Sequence, residues 1–247
     1  LFDGNIVETP PNAYIRELIF NPRTNKLIFV DEGEEKDVIF SDDSKVAEYK
    51  GYVSELVFPY NGSSFAYAVE EGEERPTFFV VLNGKIGRRY DVETSYGESY
   101  GSHGITISPD GKHLAYWGLR DDKYYLVLDE QEFGPYSDIG QILFSPDSEQ
   151  LAYSVARGDE WGENFDTVLI VHDFSNDKKA EFPFRTDRDF YFSPRGDVVI
   201  VETEGKNPQT KDFVSYWRDG SVVFRTKSYD LISHPLVFSP DGKFVSF

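Results

Sequence analysis

The sequence predicts an all-β fold, a six-bladed β-propeller of four-stranded antiparallel blades. The prediction depends on a recurring hairpin phrase, its period, and a second hairpin phrase between the copies. The first phrase is a short apolar run, Ser-Pro-Asp-Gly or a degraded copy, and a second apolar run. Its six copies align at Asn21, Pro59, Ser108, Ser145, Ser193 and Ser239, separated by 38, 49, 37, 48 and 46 residues. A period in the forties made of short strands is typical of propeller blades.

The copy at residues 104–118 shows why this phrase predicts two paired strands. Pro109 presets φ for the first turn position, and Asp110 and Gly111 tolerate the left-handed backbone that closes a tight hairpin. The flanking residues are rich in β-branched and aromatic side chains, as strands require. Proline cannot donate a ladder hydrogen bond, so Pro109 belongs in the turn.

A second hairpin phrase follows the first in each of the first five repeats. It combines an apolar strand, in most copies a turn of the Asn-Gly or Asp-Gly type, and a shorter mixed strand, which together favour a tight hairpin. Each repeat therefore supplies four strands, the content of one blade. The predicted blades are residues 15–50, 51–94, 102–137, 138–184, 185–230, and 231–247 together with 1–14.

The two ends of the chain are expected to share the sixth blade. Residues 1–14 look like the second phrase, whereas residues 235–247 supply only the first. The N-terminal strand would then complete the blade that the C-terminus begins. Closure of the ring removes two exposed sheet edges. All of residues 1–247 are thus expected to form one domain with almost no helix.

The composition limits the classes of partner. The formal charge is −19, from 44 acidic and 25 basic residues, which argues against nucleic acid because phosphate contacts need clustered Lys and Arg. The acidic runs at 31–35 and 70–74 are interpreted as solvated loops, the alternative being a cation site or a docking site for a basic partner. The chain has no cysteine and no apolar run of about 18 residues, so neither a disulfide nor a membrane span is expected.

The Ser-Pro-Asp-Gly hairpins resemble the WD40-like repeats of TolB-type bacterial propellers. Residues 238–244, Phe-Ser-Pro-Asp-Gly-Lys-Phe, fit that pattern throughout, and residues 107–114 fit it nearly as well. The copies at 144–148 and 192–196 each depart at one position. The resemblance implies an extracytoplasmic scaffold or binder, whether periplasmic, on the cell surface or secreted, with a protein partner. It covers the whole chain, but one fold hosts many functions.

One motif is typical of a catalytic serine. Residues 97–101, Gly-Glu-Ser-Tyr-Gly, match the G-x-S-x-G nucleophile elbow and resemble the serine segment of prolyl-oligopeptidase-type enzymes. That chemistry needs a strand before Ser99 and a helix after it, within an α/β-hydrolase fold. Here the match lies in a Gly/Ser/Tyr-rich insertion, so we interpret it as a loop and favour a non-enzyme.

Polar residues just before the aligned positions are expected to meet at one mouth of the central channel, because the inner strands converge on the axis. They are Glu17, Glu55, Gln141, Asp189, His103, His234, Arg16 and Arg188. Such a ring could form self-neutralising ion pairs around trapped water, which is the interpretation we favour. The alternative is a Ca²⁺ ion held by carboxylate oxygens.

Two classes of function follow from the sequence. The leading hypothesis is a non-catalytic binding or scaffold propeller, without a cofactor, that presents loops and the channel mouth to a protein or small ligand. The alternative is a metal-dependent six-bladed hydrolase or lactonase with a cation on the axis. A third option is that the chain is the propeller part of a larger enzyme.

Overall fold

The computed structural model confirms the all-β class. It describes residues 14–42, 44–92, 94–95, 98–99, 103–158, 166–184, 189–204, 210–217, 222–225, 229–230, 237–239 and 245–246. Every regular element in these ranges is a β-strand. No helix in the described part of the chain is long and apolar enough to cross a membrane.

The strands form antiparallel sheets in chain order. The first sheet contains β1 (Ile15–Phe20), β2 (Leu27–Glu32), β3 (Asp37–Ser41) and β4 (Ser44–Tyr49). The second contains β5 (Tyr52–Val57), β6 (Ala66–Glu71), β7 (Thr77–Leu82) and β8 (Lys85–Asp91). A two-stranded ribbon follows, β9 (Thr94–Ser95) with β10 (Glu98–Ser99).

The later strands repeat this arrangement. The third set is β11 (Thr106–Ile107), β12 (Leu114–Arg120), β13 (Lys123–Leu128) and β14 (Gln131–Tyr136). The fourth sheet is β15 (Asp138–Phe144), β16 (Gln150–Arg157), β17 (Asp166–Asp173) and β18 (Lys178–Pro183). The fifth is β19 (Phe190–Phe192), β20 (Val198–Glu204), β21 (Thr210–Trp217), β22 (Val222–Arg225) and β23 (Tyr229–Asp230), and a last pair is β24 (Val237–Phe238) with β25 (Val245–Ser246). The predicted four-stranded antiparallel repeat is therefore confirmed.

The third set of strands is joined to the second sheet. Leu119 of β12 pairs with Asp91 of β8, so the two sets form one continuous eight-stranded sheet. The chain divides into two compact units, one of residues 1–122 with 126–133 and the other of residues 123–125 with 134–247. Each unit has its own apolar core.

The cores lie between successive sheets and are rich in aromatic rings. In the first unit Phe78, Tyr90 and Tyr116 pack between the second and third sets of strands. In the second unit Phe184 and Phe190 meet edge to face, with ring centroids 5.7 Å apart. Large aromatic side chains contribute strongly to the stability of such cores, and their rings prefer edge-to-face or offset-stacked contacts.

The Ser-Pro-Asp-Gly phrase builds a buried hydrogen-bond network as well as a turn. Ser108 is fully buried, and its Oγ donates to Asp110 Oδ1 at 2.7 Å while accepting from His113 N at 3.0 Å. The Ser145 hydroxyl makes the same contact to Asp147, at 2.6 Å. A buried hydroxyl needs such partners, so the aspartate keeps the serine satisfied.

The fifth copy preserves this network despite its altered sequence. Arg195 replaces the aspartate of the phrase, but Ser193 Oγ donates instead to Asp197 Oδ1, at 2.7 Å. The backbone turn is unchanged, since Gly196 keeps a φ of 71° and its N–H donates to Ser193 O at 2.8 Å. An aspartate two positions later thus replaces the missing one.

Candidate functional site

Several of the predicted polar residues lie at β-bulges of the inner strands. The registers of β1, β5 and β15 shift within residues 15–18, 54–57 and 139–142. Glu17, Glu55 and Gln141 each occupy one of these irregular segments, and Glu55 has a φ of 54°. A bulge removes main-chain N–H groups from the sheet ladder, and buried N–H groups must find other acceptors.

The side chains at these bulges accept hydrogen bonds from the next inner strand. Both Glu17 carboxylate oxygens accept main-chain N–H groups, from Glu55 and Leu56, each at 2.9 Å. The Glu55 carboxylate in turn accepts the N–H groups of His103 and Ile105. We call this relay the carboxylate clamp.

Gln141 makes a weaker version of the clamp in the second unit. Its Oε1 accepts the N–H of Phe190, the residue after Asp189, at 3.3 Å. The sequence predicts that these side chains form ion pairs or hold a cation. In the structure the side chains of Glu17, Glu55 and Gln141 accept main-chain N–H groups of the next set of strands.

Burial raises the pKa of Glu55, and the hydrogen bonds from the His103 and Ile105 N–H groups only partly offset it. The native state therefore binds this proton more tightly than the unfolded chain does. It follows that the contribution of Glu55 to stability increases as the pH falls towards its unfolded pKa.

Arg16 precedes Glu17 in β1, and its side chain binds groups of both the first and the second sheet. Its Nη2 donates to Asp37 Oδ2 at 2.5 Å and to Val53 O at 2.7 Å, and its guanidinium stacks 3.8 Å from the centroid of the Tyr52 ring. Asp37 is buried and also accepts the N–H of Val53, at 2.7 Å. Arg16 is therefore engaged in joining the first and second sheets.

His103 is a buried residue that packs on an aromatic ring of the second sheet. It is 1% exposed, stacks on Phe78 with ring centroids 3.6 Å apart, and places Nε2 3.3 Å from Glu70 Oε1. Asp189 is exposed and accepts the Tyr191 hydroxyl at 3.3 Å. Arg188 and His234 lie outside the described residues.

No metal cluster is found in the described ranges, and most of the Gly-Glu-Ser-Tyr-Gly motif lies outside them. In these ranges no three His, Asp or Glu side chains group so that they could hold a metal ion. Ser99 ends the short strand β10, and its neighbours Gly97, Tyr100 and Gly101 lie outside the described residues. The calcium hypothesis stays a prediction.

Millimolar calcium and an excess of chelator are both expected to leave the melting temperature unchanged. Ca²⁺ takes about six to eight oxygen ligands, and the Glu17 and Glu55 oxygens already accept main-chain N–H groups. Differential scanning fluorimetry checks this. A calcium-dependent rise in melting temperature that is lost in Glu17→Gln would restore the cation site.

A cleft between the second and third sets of strands is a second candidate site, which no sequence motif indicates. It encloses about 230 Å³. Its walls are mainly aliphatic and aromatic, namely Val80, Leu82, Ile86, Leu114 and Tyr116. A second cavity of about 230 Å³ shares Ile86, Gly87 and Tyr116 with it and continues to Tyr90 and Val127. We call the two together the Tyr116 cleft.

Tyr116 contributes an uncharged polar group to this cleft. The residue is only 4% exposed, and its hydroxyl has no hydrogen-bond partner among the described residues. A Cβ added at Gly87, which lines both cavities, would lie 3.3 Å from that hydroxyl oxygen. The absence of a side chain at Gly87 therefore leaves the space over the hydroxyl open. Burial raises the pKa of Tyr116 to about 12, so its hydroxyl stays protonated at neutral pH.

A cluster around Glu132 holds the outer strands together beside the cleft. Glu132 Oε1 accepts from Arg88 Nη1 at 2.5 Å, from the Tyr90 hydroxyl at 2.8 Å and from Arg120 Nη1 at 3.0 Å. Its Oε2 accepts from Arg120 Nη2 at 3.1 Å. Burial raises the pKa of Glu132, but the bonds from Arg120, Tyr90 and Arg88 outweigh it and lower the pKa to about 2.

Glu132→Gln is expected to cost about 1–3 kcal/mol of unfolding free energy at neutral pH, since a charge-assisted network is broken. The folded pKa lies below the unfolded value of 4.5, so this stabilisation is complete above pH 4.5 and is lost as the pH falls towards 2. Denaturant unfolding at several pH values should show the difference between wild type and variant shrinking in acid.

Glu130→Gln is the matched control for this experiment. Glu130 pairs with Lys85 on the surface, with side-chain exposures of 71% and 74%, and exposed pairs contribute little. We expect no measurable change in stability. A loss equal to that of Glu132→Gln would mean that net charge, rather than the Glu132 cluster, is responsible.

Comparison with known proteins identifies the fold. No family model matches the chain, and no curated protein matches it by sequence. The β-propeller domain of the Trilobed protease from Pyrococcus furiosus has a TM-score of 0.51 at 18% identity, over 76% of this chain and 60% of that one. The acylaminoacyl peptidase of Pyrococcus horikoshii also gives 0.51, at 15% identity, over 76% of this chain and 34% of that one.

A structure described as the eukaryotic initiation factor covers more of the sequence. It gives a TM-score of 0.51 at 12% identity, over 96% of this chain and 71% of that one. This chain spans less than two thirds of the two archaeal protease chains. At these identities the likeness shows the fold alone, and the TolB-type repeat family stays a prediction. The chain has the fold of a β-propeller domain built from four-stranded antiparallel sheets.

Proposed function

We propose that this chain is a non-catalytic binding propeller whose ligand site is the Tyr116 cleft. The observation that carries the proposal is the hydroxyl of the largely buried Tyr116, which opens to an apolar space and makes no hydrogen bond to a described residue. Ligand pockets combine mostly apolar walls with a few placed polar groups. Supporting evidence comes from the inner strands, where Glu17, Glu55 and Arg16 contact protein groups of neighbouring sheets.

The test is a titration of the ¹⁵N-labelled chain with a panel of uncharged N-acetyl amino-acid amides and small alcohols. We expect saturable shifts of the amides of residues 85–87 and 114–117, without chemical turnover. Gly87→Val should abolish these shifts, because the new side chain would fill the cleft. Turnover of ester or peptide substrates by the purified chain, or no saturable shift at the cleft, would contradict the proposal.

A larger enzyme is the second candidate. Both archaeal structures named above are of proteases or peptidases, and this chain spans only part of each. In that case the propeller would carry the binding site and another domain the chemistry. The full reading frame decides between the two, since a hydrolase domain joined to residues 1–247 would favour the enzyme.

We also propose that the propeller has six blades and is closed by residues 1–14. Six copies of the turn phrase support this count. Apolar side chains of β1 support closure, because Leu18 and Phe20 are 53% and 38% exposed. Deleting residues 1–14 should therefore lower the melting temperature by several degrees. An unchanged melting temperature would contradict closure by this segment.

A further inference from the structure

We propose that the Tyr116 cleft binds the aromatic side chain of a tyrosine or tryptophan in a partner polypeptide. This inference rests on the proposed binding function and specifies its ligand. It is drawn from the volume of the cleft, the Tyr116 hydroxyl, the pairing of the surrounding charges and the apolar surface beside it.

The volume fits one aromatic ring in each cavity. Each of the two adjoining cavities measures about 230 Å³. An apolar cavity of about 150 Å³ accepts benzene, so a phenol or indole ring fits either one. Val80, Leu82 and Leu114 offer aliphatic contact to the faces of such a ring.

The Tyr116 hydroxyl calls for one hydrogen-bonding atom on the ligand. A phenol donates one hydrogen bond and accepts others, so a ligand that excludes water from the cleft must itself provide a partner for this hydroxyl. Gly87 permits an incoming atom to approach this hydroxyl, as no Cβ occupies the space. A tyrosine hydroxyl or a tryptophan N–H would satisfy it, whereas a phenylalanine ring would leave it without a partner.

The charges around the cleft favour an uncharged ring. Lys85 pairs with Glu130, and Lys112 pairs with Asp110 at 2.8 Å. Asp129 accepts the Leu114 N–H at 3.0 Å and lies 2.6 Å from His113 Nδ1. These charges are already paired, so they attract a charged ligand group less than unpaired charges would, and a phenol or indole does not need them.

The surroundings favour a polypeptide over a free small molecule. Ile86 is 54% exposed at the edge of the cleft, so apolar surface continues beyond the volume that one ring fills. Tyrosine and tryptophan are the residues that most often anchor protein interfaces in such pockets. The formal charge of −19 further favours a basic segment around the anchoring residue.

Three probes test the inference by ¹⁵N chemical-shift titration of the full chain: N-acetyl-tyrosinamide, N-acetyl-phenylalaninamide and p-cresol. We expect N-acetyl-tyrosinamide to bind most tightly. Tyr116→Phe should weaken it about three- to tenfold, the usual effect of one buried hydrogen bond, and leave N-acetyl-phenylalaninamide unchanged. Tyr67→Phe is the control, since the Tyr67 hydroxyl bonds to that of Tyr49, at 3.0 Å, outside the cleft.

The outcomes separate this inference from the proposed function. If Tyr116→Phe weakens both amides equally, the hydroxyl does not select the ligand and the inference fails. If p-cresol binds as tightly as N-acetyl-tyrosinamide, the partner polypeptide is ruled out in favour of a small phenol. In both cases binding at the cleft, and with it the proposed function, remains. Only if none of the probes shifts the cleft amides do both fail.

Discussion

Gly111→Ala is expected to lower the free energy of unfolding by about 2–5 kcal/mol, one of the two largest effects we foresee. Gly111 has a φ of 76°, which costs an alanine about 1–2 kcal/mol. In addition, a Cβ at this position would overlap Ser63 Oγ in the turn of the preceding repeat. Such overpacking adds about 1–3 kcal/mol.

Gly84→Ala separates the two causes. Gly84 has a similar φ of 83°, but a Cβ there would meet no atom within 4 Å. Gly84→Ala should therefore lower the free energy of unfolding by about 1–2 kcal/mol, from backbone strain alone. Denaturant unfolding of both variants measures the difference, which reports the contact between neighbouring turns.

A double-mutant cycle makes this test stricter. Ser63→Ala removes the oxygen that the new Cβ would strike, so the double variant Ser63→Ala with Gly111→Ala should recover part of the loss. If the losses of unfolding free energy are strictly additive, or if Gly84→Ala and Gly111→Ala lose the same amount, then the two neighbouring turns are not in tight contact.

These turns explain why the fold could be predicted from the sequence. Pro109, Asp110 and Gly111 act through local geometry, which sequence reveals. The buried Ser108 hydroxyl was not foreseen, although its bond to Asp110 spans only two residues. The Asp197 substitute could also have been found, because it lies four residues after Ser193, within reach of the same hydroxyl.

The site was harder to predict for a physical reason. The sequence shows Glu17 and Glu55 as a recurring polar position and predicts a place at the channel mouth for them. The groups that donate to these two carboxylates are main-chain N–H groups, which every residue except proline carries. They are available only because a bulge removes them from the sheet ladder, and the sequence does not reveal the bulge. The Tyr116 cleft depends on Gly87 in the preceding set of strands, and Tyr116 itself looked like an ordinary apolar strand position.

The carboxylate clamp carries the second large prediction. Glu17→Ala is expected to cost about 2–4 kcal/mol, because it leaves the N–H groups of Glu55 and Leu56 without their acceptors. Glu73 carries the same charge as Glu17 but lies in an exposed loop, so Glu73→Ala should change the free energy of unfolding by less than about 0.5 kcal/mol. Denaturant unfolding of both variants at neutral pH checks the contrast.

Glu17→Gln decides how the clamp works. A carboxylate can accept both N–H groups, one on each oxygen, at 2.9 Å. A glutamine offers one oxygen, and its amide nitrogen would face an N–H donor. If the clamp requires two acceptors, Glu17→Gln should lose nearly as much stability as Glu17→Ala. A glutamine variant as stable as wild type would mean that packing of the side chain, and not its two acceptors, joins the first and second sheets.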